Sequence, residues 1–431
     1  IPERSALWDL LLARRPRLIG TPIGADVQPA VADAESILAI VRSLDASVLF
    51  IQGPPGTGKS TKAAFVIAQL LRDGKRVAVM SNSHKAIHNL DRKVEEAAVA
   101  SSLAFRGVHK ASETEGSQYE SAIGFIVCLK KNKDVDEGAY QFVSGNAWLF
   151  ARPEMYGAFD YLFVDEAGQI ALAAAVAVAP CARNIVFIGD PLQLAQVSLG
   201  SHPPGVGISV LEHVLGDAHT IARDRGIFLD VTHRLHPAIC AFVSETIYDG
   251  RLTPAPATAR QRIGAAPGFG SGLRYVPVVH RGNSRESIEE AQHVAALVAS
   301  LVGSPLIDEQ GVERPARPDD VIVVAPYNAQ RRLIRRLLEE TGCSGVDVGT
   351  VDKFQGQEAF AVIYSMATSS DADAPRGLEF LFDRNRFNVA ITRARALPIV
   401  VCSERLVESR AGTLDDTRLL SLFCRYVEAA G

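Results

Sequence analysis

The sequence predicts an α/β protein of two tandem domains, each a doubly wound parallel sheet covered by helices. Three observations predict it. The chain is 431 residues long, more than a single hydrophobic core usually serves. Short, continuous apolar runs alternate with amphipathic stretches along most of it, the pattern of buried parallel strands and their covering helices. A glycine-rich stretch lies at one strand–helix junction, where such sheets hold their ligands.

Composition narrows the class without naming it. The chain is 47% hydrophobic and 22% charged, which excludes disorder and fibre. Its net charge of -4 gives no overall basic signature, so any nucleic-acid contact has to come from local surfaces. The six cysteines form no CxxC pair and are far apart. That spacing fits neither a zinc knuckle nor a disulfide framework, and it predicts reduced thiols in a cytoplasmic protein. The longest apolar stretch, Ile170 to Ala179, falls well short of the roughly 20 residues a membrane span needs. The chain starts with Ile1, which suggests a piece of a longer protein.

Residues 1–35 read as a leading helix (Leu7 to Leu12) and a linker. A first domain is expected over 36–221, with strands at Val48 to Ile51, Val77 to Met80, Tyr161 to Val164 and Ile185 to Ile188. A helix carrying Ala63, Val66, Ile67, Leu70 and Leu71 on one face follows the first of these. The polar stretch 101–145 reads as an inserted excursion. A second domain is expected over 222–431, with strands at Phe228 to Val231, Tyr275 to Val279, Val321 to Ala325, Ala361 to Met366 and Pro398 to Cys402. Its helices are expected at Ser287 to Val302 and Ala329 to Glu340.

Gly53-Pro54-Pro55-Gly56-Thr57-Gly58-Lys59-Ser60 fits the phosphate-loop pattern GxxxxGK[ST]. Backbone N–H groups curl around phosphate oxygens where side chains would collide, and the following helix points its positive end at the anion. Lys59 is expected on the β- and γ-phosphates and Ser60 on Mg²⁺. The pattern alone does not separate kinase, GTPase and motor. At the end of the third strand, Asp165 and Glu166 are expected to supply a metal-holding carboxylate and a proton acceptor for an attacking water, with a solvated acidic pair as the competing reading. Gln193 follows the fourth strand, where it can sense the terminal phosphate or orient that water; Gly189, Asp190 and Pro191 also read as a plain turn. Arg234 and Arg393 are the candidate cations for charge developing on a transferring phosphoryl group; taken alone, each reads as well as a solvated surface charge.

Six strings in order now carry a resemblance. Gly53 to Ser60, Asp165-Glu166-Ala167-Gly168, Gly189 to Leu194, Arg234 to Pro237, Val351 to Glu358 and Asn388 to Arg395 together resemble the superfamily 1B helicases. The likeness is to the group containing the helicases of nonsense-mediated decay and Okazaki-fragment processing. Ser81 to Ala86 further resembles a bacterial branch in which the motor is fused to a RecB-like nuclease, and that branch implies a nuclease in a missing N-terminal part.

The resemblance implies two RecA-like domains with ATP and Mg²⁺ held in the cleft between them. It also implies ATP-driven 5′→3′ movement on single-stranded nucleic acid in repair or processing, with DNA favoured over RNA and an RNA helicase kept as the alternative. Thr61 joins the phosphate loop, and Gly356 and Glu358 approach the nucleotide. Strand contacts are implied for Ser81, Asn82, Ser83, His84, Asn146 and Trp148, and for Pro326, Tyr327, Thr350 and Asp352; plain packing competes for Trp148 and Tyr327. There are two departures. His233 stands where relatives carry an aromatic that stacks on the base, and Ala34 to Ile37 lacks the adenine-reading Gln, which implies looser selectivity for ATP over GTP. A nucleotide-gated clamp that binds without unwinding is the rival reading.

Overall fold

The computed structural model describes residues 4–136, 138–194, 207–264 and 270–431. The chain divides into two compact units. One comprises residues 1–191 and 195–230, and the other residues 192–194 and 231–431.

The first unit is built on eight strands: β1 (Val48–Gln52), β2 (Val77–Met80), β3 (Gly107–Lys110), β4 (Ile126–Leu129), β5 (Phe142–Gly145), β6 (Phe159–Val164), β7 (Ala182–Gly189) and β8 (Gly226–Phe228). They lie in the order β4-β3-β5-β2-β6-β7-β1-β8, every pairing parallel. The β1 run Val-Leu-Phe-Ile-Gln is buried along its whole length. Its apolar side chains pack on both faces of the sheet, as a central parallel strand requires. In chain order the unit's first four helices are α1 (Ala6–Leu11), α2 (Ala34–Arg42), α3 (Lys59–Arg72) and α4 (His84–Ala100). On α3 the expected stripe of Ala63, Val66, Ile67, Leu70 and Leu71 is buried, each larger member contributing about 1.5–3 kcal/mol by leaving water.

Three expectations change here. The stretch 101–145 is not an excursion, because it supplies β3, β4 and β5 to the main sheet. Its strands hide in the sequence because they are short and carry polar residues such as His109 and Lys110. The first unit ends at Asp230 rather than 221, because Gly226–Phe228 pairs with β1. Gln28 fixes that edge strand, accepting from the Phe228 N–H at 2.7 Å and donating to the Phe228 carbonyl at 3.2 Å. Residues 1–35 belong to the same unit. Asp9, buried on α1, accepts from Ser47 Oγ at 2.6 Å and pairs with Arg17.

The second unit has a five-stranded sheet. Across it run Arg274–Val278, Ala394–Ser403, Ala359–Ser365, Val321–Val324 and Asp347–Gly349, all parallel. Helices Ile288–Leu301 and Asn328–Glu340 lie against each other, and their apolar faces join the sheet in one core. The expected strand Phe228 to Val231 is interrupted, and Val231–Thr232 instead pairs with Thr253–Pro254. Among the described residues no helix is long and apolar enough to cross a membrane.

Candidate functional site

In the first unit the phosphate loop leaves the carboxyl end of β1 and runs into α3. Gly58 occupies the left-handed region at φ +75° and caps α3 with no side chain, so the first N–H groups of the helix stay open toward an anion. A Cβ on Gly53 would collide with the Lys59 side chain. Lys59 Nζ folds back to donate to the Gly53 carbonyl and, at 3.4 Å, to that of Pro54. Thr57 Oγ1 donates to the Pro54 carbonyl at 2.8 Å, and Lys62 Nζ to the Thr57 carbonyl at 2.6 Å. The loop is tied to its neighbouring strand by Gly53 N donating to the Gly189 carbonyl at 2.9 Å. Pro55, Gly56, Ser60 and Thr61 complete the cradle, with Ser60 half-buried and Thr61 exposed.

The acid pair follows β6. Asp165 is buried, and its Oδ1 accepts from the Glu166 N–H at 2.9 Å. Burial, reinforced by the Glu166 charge, pushes the Asp165 carboxyl up to about 7, against the pull of Lys59 and Lys93. Glu166 sits at φ +54° and ψ +42°, a left-handed backbone for a non-glycine residue. The turn after it packs on the end of β7: a Cβ on Gly168 would meet the Asp190 carbonyl oxygen at 2.6 Å. A cation that sequence reasoning missed is Lys93 on α4. It donates to Thr61 Oγ1 at 3.0 Å and acts electrostatically on Asp165. No local pattern in the sequence marks it.

An open helix terminus, a glycine loop with its lysine, a half-buried hydroxyl and a buried carboxylate fit a magnesium nucleotide. Ser60 and Asp165 are the side chains that could hold the ion.

In the second unit Arg234 Nε donates to Glu358 Oε2 at 2.5 Å and Nη1 to the Thr392 carbonyl at 3.3 Å. Arg393 is 2% exposed. It donates to the Gln357 carbonyl at 3.1 Å and to Gln193 Oε1 at 3.2 Å, residues 192–194 belonging with this unit. For Glu358 burial works upward, but the Arg234 charge and hydrogen bond, with Arg395 and Arg393 behind, outweigh it and hold the carboxyl below its usual range. Arg395 pairs with Glu309 and lies 3.9 Å from Glu358. His233 is exposed. Gly356 is left-handed at φ +76° with open space around its Cα.

The residues expected on the nucleic acid fall into different environments. Asn82 Nδ2 donates to the Gln169 carbonyl at 2.8 Å, Ser83 caps α4, Ser81 is fully buried and His84 half-buried. Trp148 is 78% exposed, which removes core packing as its role, and Asn146 precedes it at the helix start. In the second unit Tyr327 is buried, its ring 5.8 Å from that of Phe380, so packing accounts for it. Pro326 and Thr350 are half-buried. Asp352 is exposed and 3.4 Å from Arg386.

Family profiles described as AAA domain match residues 34–204 and 207–405. The DNA polymerase alpha-associated DNA helicase A of Schizosaccharomyces pombe is 27% identical over 80% of this chain and 59% of its own. The DNA replication ATP-dependent helicase/nuclease JHS1 of Arabidopsis thaliana is 26% identical over 86% of this chain and 28% of its own. A regulator of nonsense transcripts 1 homolog from Neurospora crassa is 26% identical over 87% and 38%.

The chain belongs to the superfamily 1 helicases, in the group of the nonsense-transcript regulators and the helicase/nucleases of DNA replication. Its two units are the RecA-like domains of that superfamily. The superfamily 1 chain spans 59% or less of each of these relatives. Among solved structures, an arterivirus nonstructural protein 10 helicase in complex with DNA aligns with 87% of it at 16% identity and a TM-score of 0.45.

Proposed function

We propose that this chain is the motor of an ATP-dependent helicase or translocase running 5′→3′ on single-stranded DNA. The observation that carries the reading is the order of three neighbouring parallel strands. β7, which leads to Gln193, lies between β1 with the phosphate loop and β6 with the acid pair. Cradle and carboxylates thus leave the same end of one sheet within the first unit, which supports hydrolysis over simple nucleotide binding.

In this reading Lys59 lies on the β- and γ-phosphates, and Ser60 and Asp165 hold Mg²⁺. The ion when bound neutralises charge on the phosphoryl oxygens. Glu166 takes the proton of the attacking water, and Gln193 positions that water. Arg234 and Arg393 meet the charge that develops on the phosphoryl group, Arg234 exchanging the Glu358 carboxylate for a phosphoryl oxygen. Glu358 and Gly356 border the nucleotide. Asn82, Ser83, His84 and Trp148 grip the strand in the first unit, and Pro326, Thr350 and Asp352 in the second, so binding weakens steeply with salt. The helicase/nuclease among the relatives supports a fused nuclease as partner domain.

The test is ATP hydrolysis with and without single-stranded DNA and RNA of matched length, followed by displacement from duplexes with 5′ or 3′ overhangs. Stimulation by DNA and displacement from the 5′ overhang are expected. No stimulation by either polymer would refute the motor, and stimulated hydrolysis without displacement would leave a clamp.

A further inference from the structure

His84 and His88 stand four residues apart on α4, so their imidazoles leave the same helix face. His109, from β3, meets them. One ligand nitrogen from each ring lies within 4.8 Å of the others. Ring centroids are 4.9 Å apart for His88 and His109, 5.8 Å for His84 and His109, and 6.0 Å for His84 and His88. His109 is fully buried and the other two half-buried, which leaves an approach from solvent.

The surroundings of His109 say more. Its Nδ1 lies 3.0 Å from Asp91 Oδ2, a fully buried carboxylate oxygen that also accepts from Ser144 Oγ at 2.8 Å. An ionised Asp91 keeps the imidazole proton on Nδ1 and turns the Nε2 lone pair away from itself. That lone pair then faces the Ser117 carbonyl oxygen at 3.1 Å. His88 Nε2 is 3.2 Å from the same oxygen.

Two acceptors facing each other repel unless something is shared between them, either a proton on Nε2 in the other tautomer of the ring or a metal ion. A proton, however, leaves His84 Nδ1 buried and without a hydrogen-bond partner. A metal ion shared by the three rings uses it. In a tetrahedral site with bonds of about 2.0 Å, ligand atoms stand roughly 3.3 Å apart. The two contacts to the Ser117 oxygen already have that spacing, and rotation of half-buried side chains closes the nitrogens.

We propose that His84, His88 and His109 bind a divalent late-transition metal ion of the zinc class, with the Ser117 carbonyl oxygen or a water as fourth ligand. Asp91 is the positioning residue behind His109. Three imidazoles with no carboxylate among the direct ligands suit this class and not Mg²⁺ or Ca²⁺. Such ions take neutral imidazoles as ligands. The ion ties the first turn of α4, directly after Ser81, Asn82 and Ser83, to β3.

The test uses the whole chain, stripped with chelator and titrated with Co²⁺ alone. One equivalent is expected to give the visible absorption of tetrahedral cobalt, displaced by Zn²⁺ and untouched by Mg²⁺. His109→Gln and His88→Asn are expected to abolish the band while still binding a fluorescent magnesium nucleotide, which verifies the fold. Should His109→Gln fail to fold, the half-buried His88→Asn decides. Asp91→Asn is expected to keep the band with affinity lowered about 10- to 100-fold. No band in the unaltered chain, or a band unchanged in His88→Asn, overturns the site and leaves a proton-held hydrogen-bonded cluster.

Discussion

The two units assemble their candidate residues in opposite ways. In the first, the backbone does most of the work. The phosphate loop is eight consecutive residues whose open N–H groups and glycines make the cradle, and Asp165 and Glu166 are neighbours in the chain. In the second, side chains do it. Arg234 and Glu358 are 124 residues apart and meet as an ion pair, and Arg393 is held through Gln357, Val389 and Gln193. A site made of backbone is local and tolerates few substitutions at its glycines. A site made of ion pairs is non-local, and each member leaves a partner exposed to consequences when removed.

The largest effect that sharpens this contrast is expected from Glu166→Gln. If Glu166 is the proton acceptor, turnover with single-stranded DNA should fall roughly a thousandfold while a fluorescent nucleotide analogue still binds; normal hydrolysis in that variant would remove the assignment. Arg234→Ala should follow, losing about a hundredfold or more in kcat. Nucleotide binding should change far less, because the arginine is asked to act on charge that appears only during reaction. A KM effect without a kcat effect would make it a binding residue instead.

Gly168→Ala tests the backbone-built side. Its new Cβ meets the Asp190 carbonyl oxygen, so thermal unfolding should shift by several degrees, from a cost of about 1–3 kcal/mol. An unchanged melting temperature would mean that the turn yields freely.

The smallest effect is the pH dependence of the second unit. Glu358 has its folded pKa lowered, so its pairing stabilises above the unfolded carboxylate value of about 4.3. That contribution is lost as pH falls through the lower folded value. The melting-temperature gap between the unaltered chain and Glu358→Gln should therefore be present at neutral pH and close in acid; a gap that widens in acid would contradict the pairing.

Legibility in the sequence follows the same divide. Val77–Met80 was readable to the residue because a central parallel strand is apolar on both faces. β3 was not, since Gly107, His109 and Lys110 break that pattern and the strand takes its place by pairing with β4 and β5. Phe228 reads as the start of a second-domain strand, Phe228 to Val231, whereas Gly226–Phe228 closes the first sheet, because nothing local says which sheet an edge strand joins. The Gln28 clamp on Phe228 sits 200 residues away in sequence. Likewise the phosphate loop announced itself, whereas Lys93, the Arg234–Glu358 pair and the three converging histidines depend on contacts between separate elements.

The left-handed backbone at Glu166 has one further consequence. Holding a glutamate there costs on the order of 1–2 kcal/mol, a cost that glycine would not bear. Glu166→Gly should raise the melting temperature while silencing hydrolysis. Selection for heat resistance alone would thus drift toward a sturdier but idle protein, and only a demand for turnover keeps the carboxylate where it is.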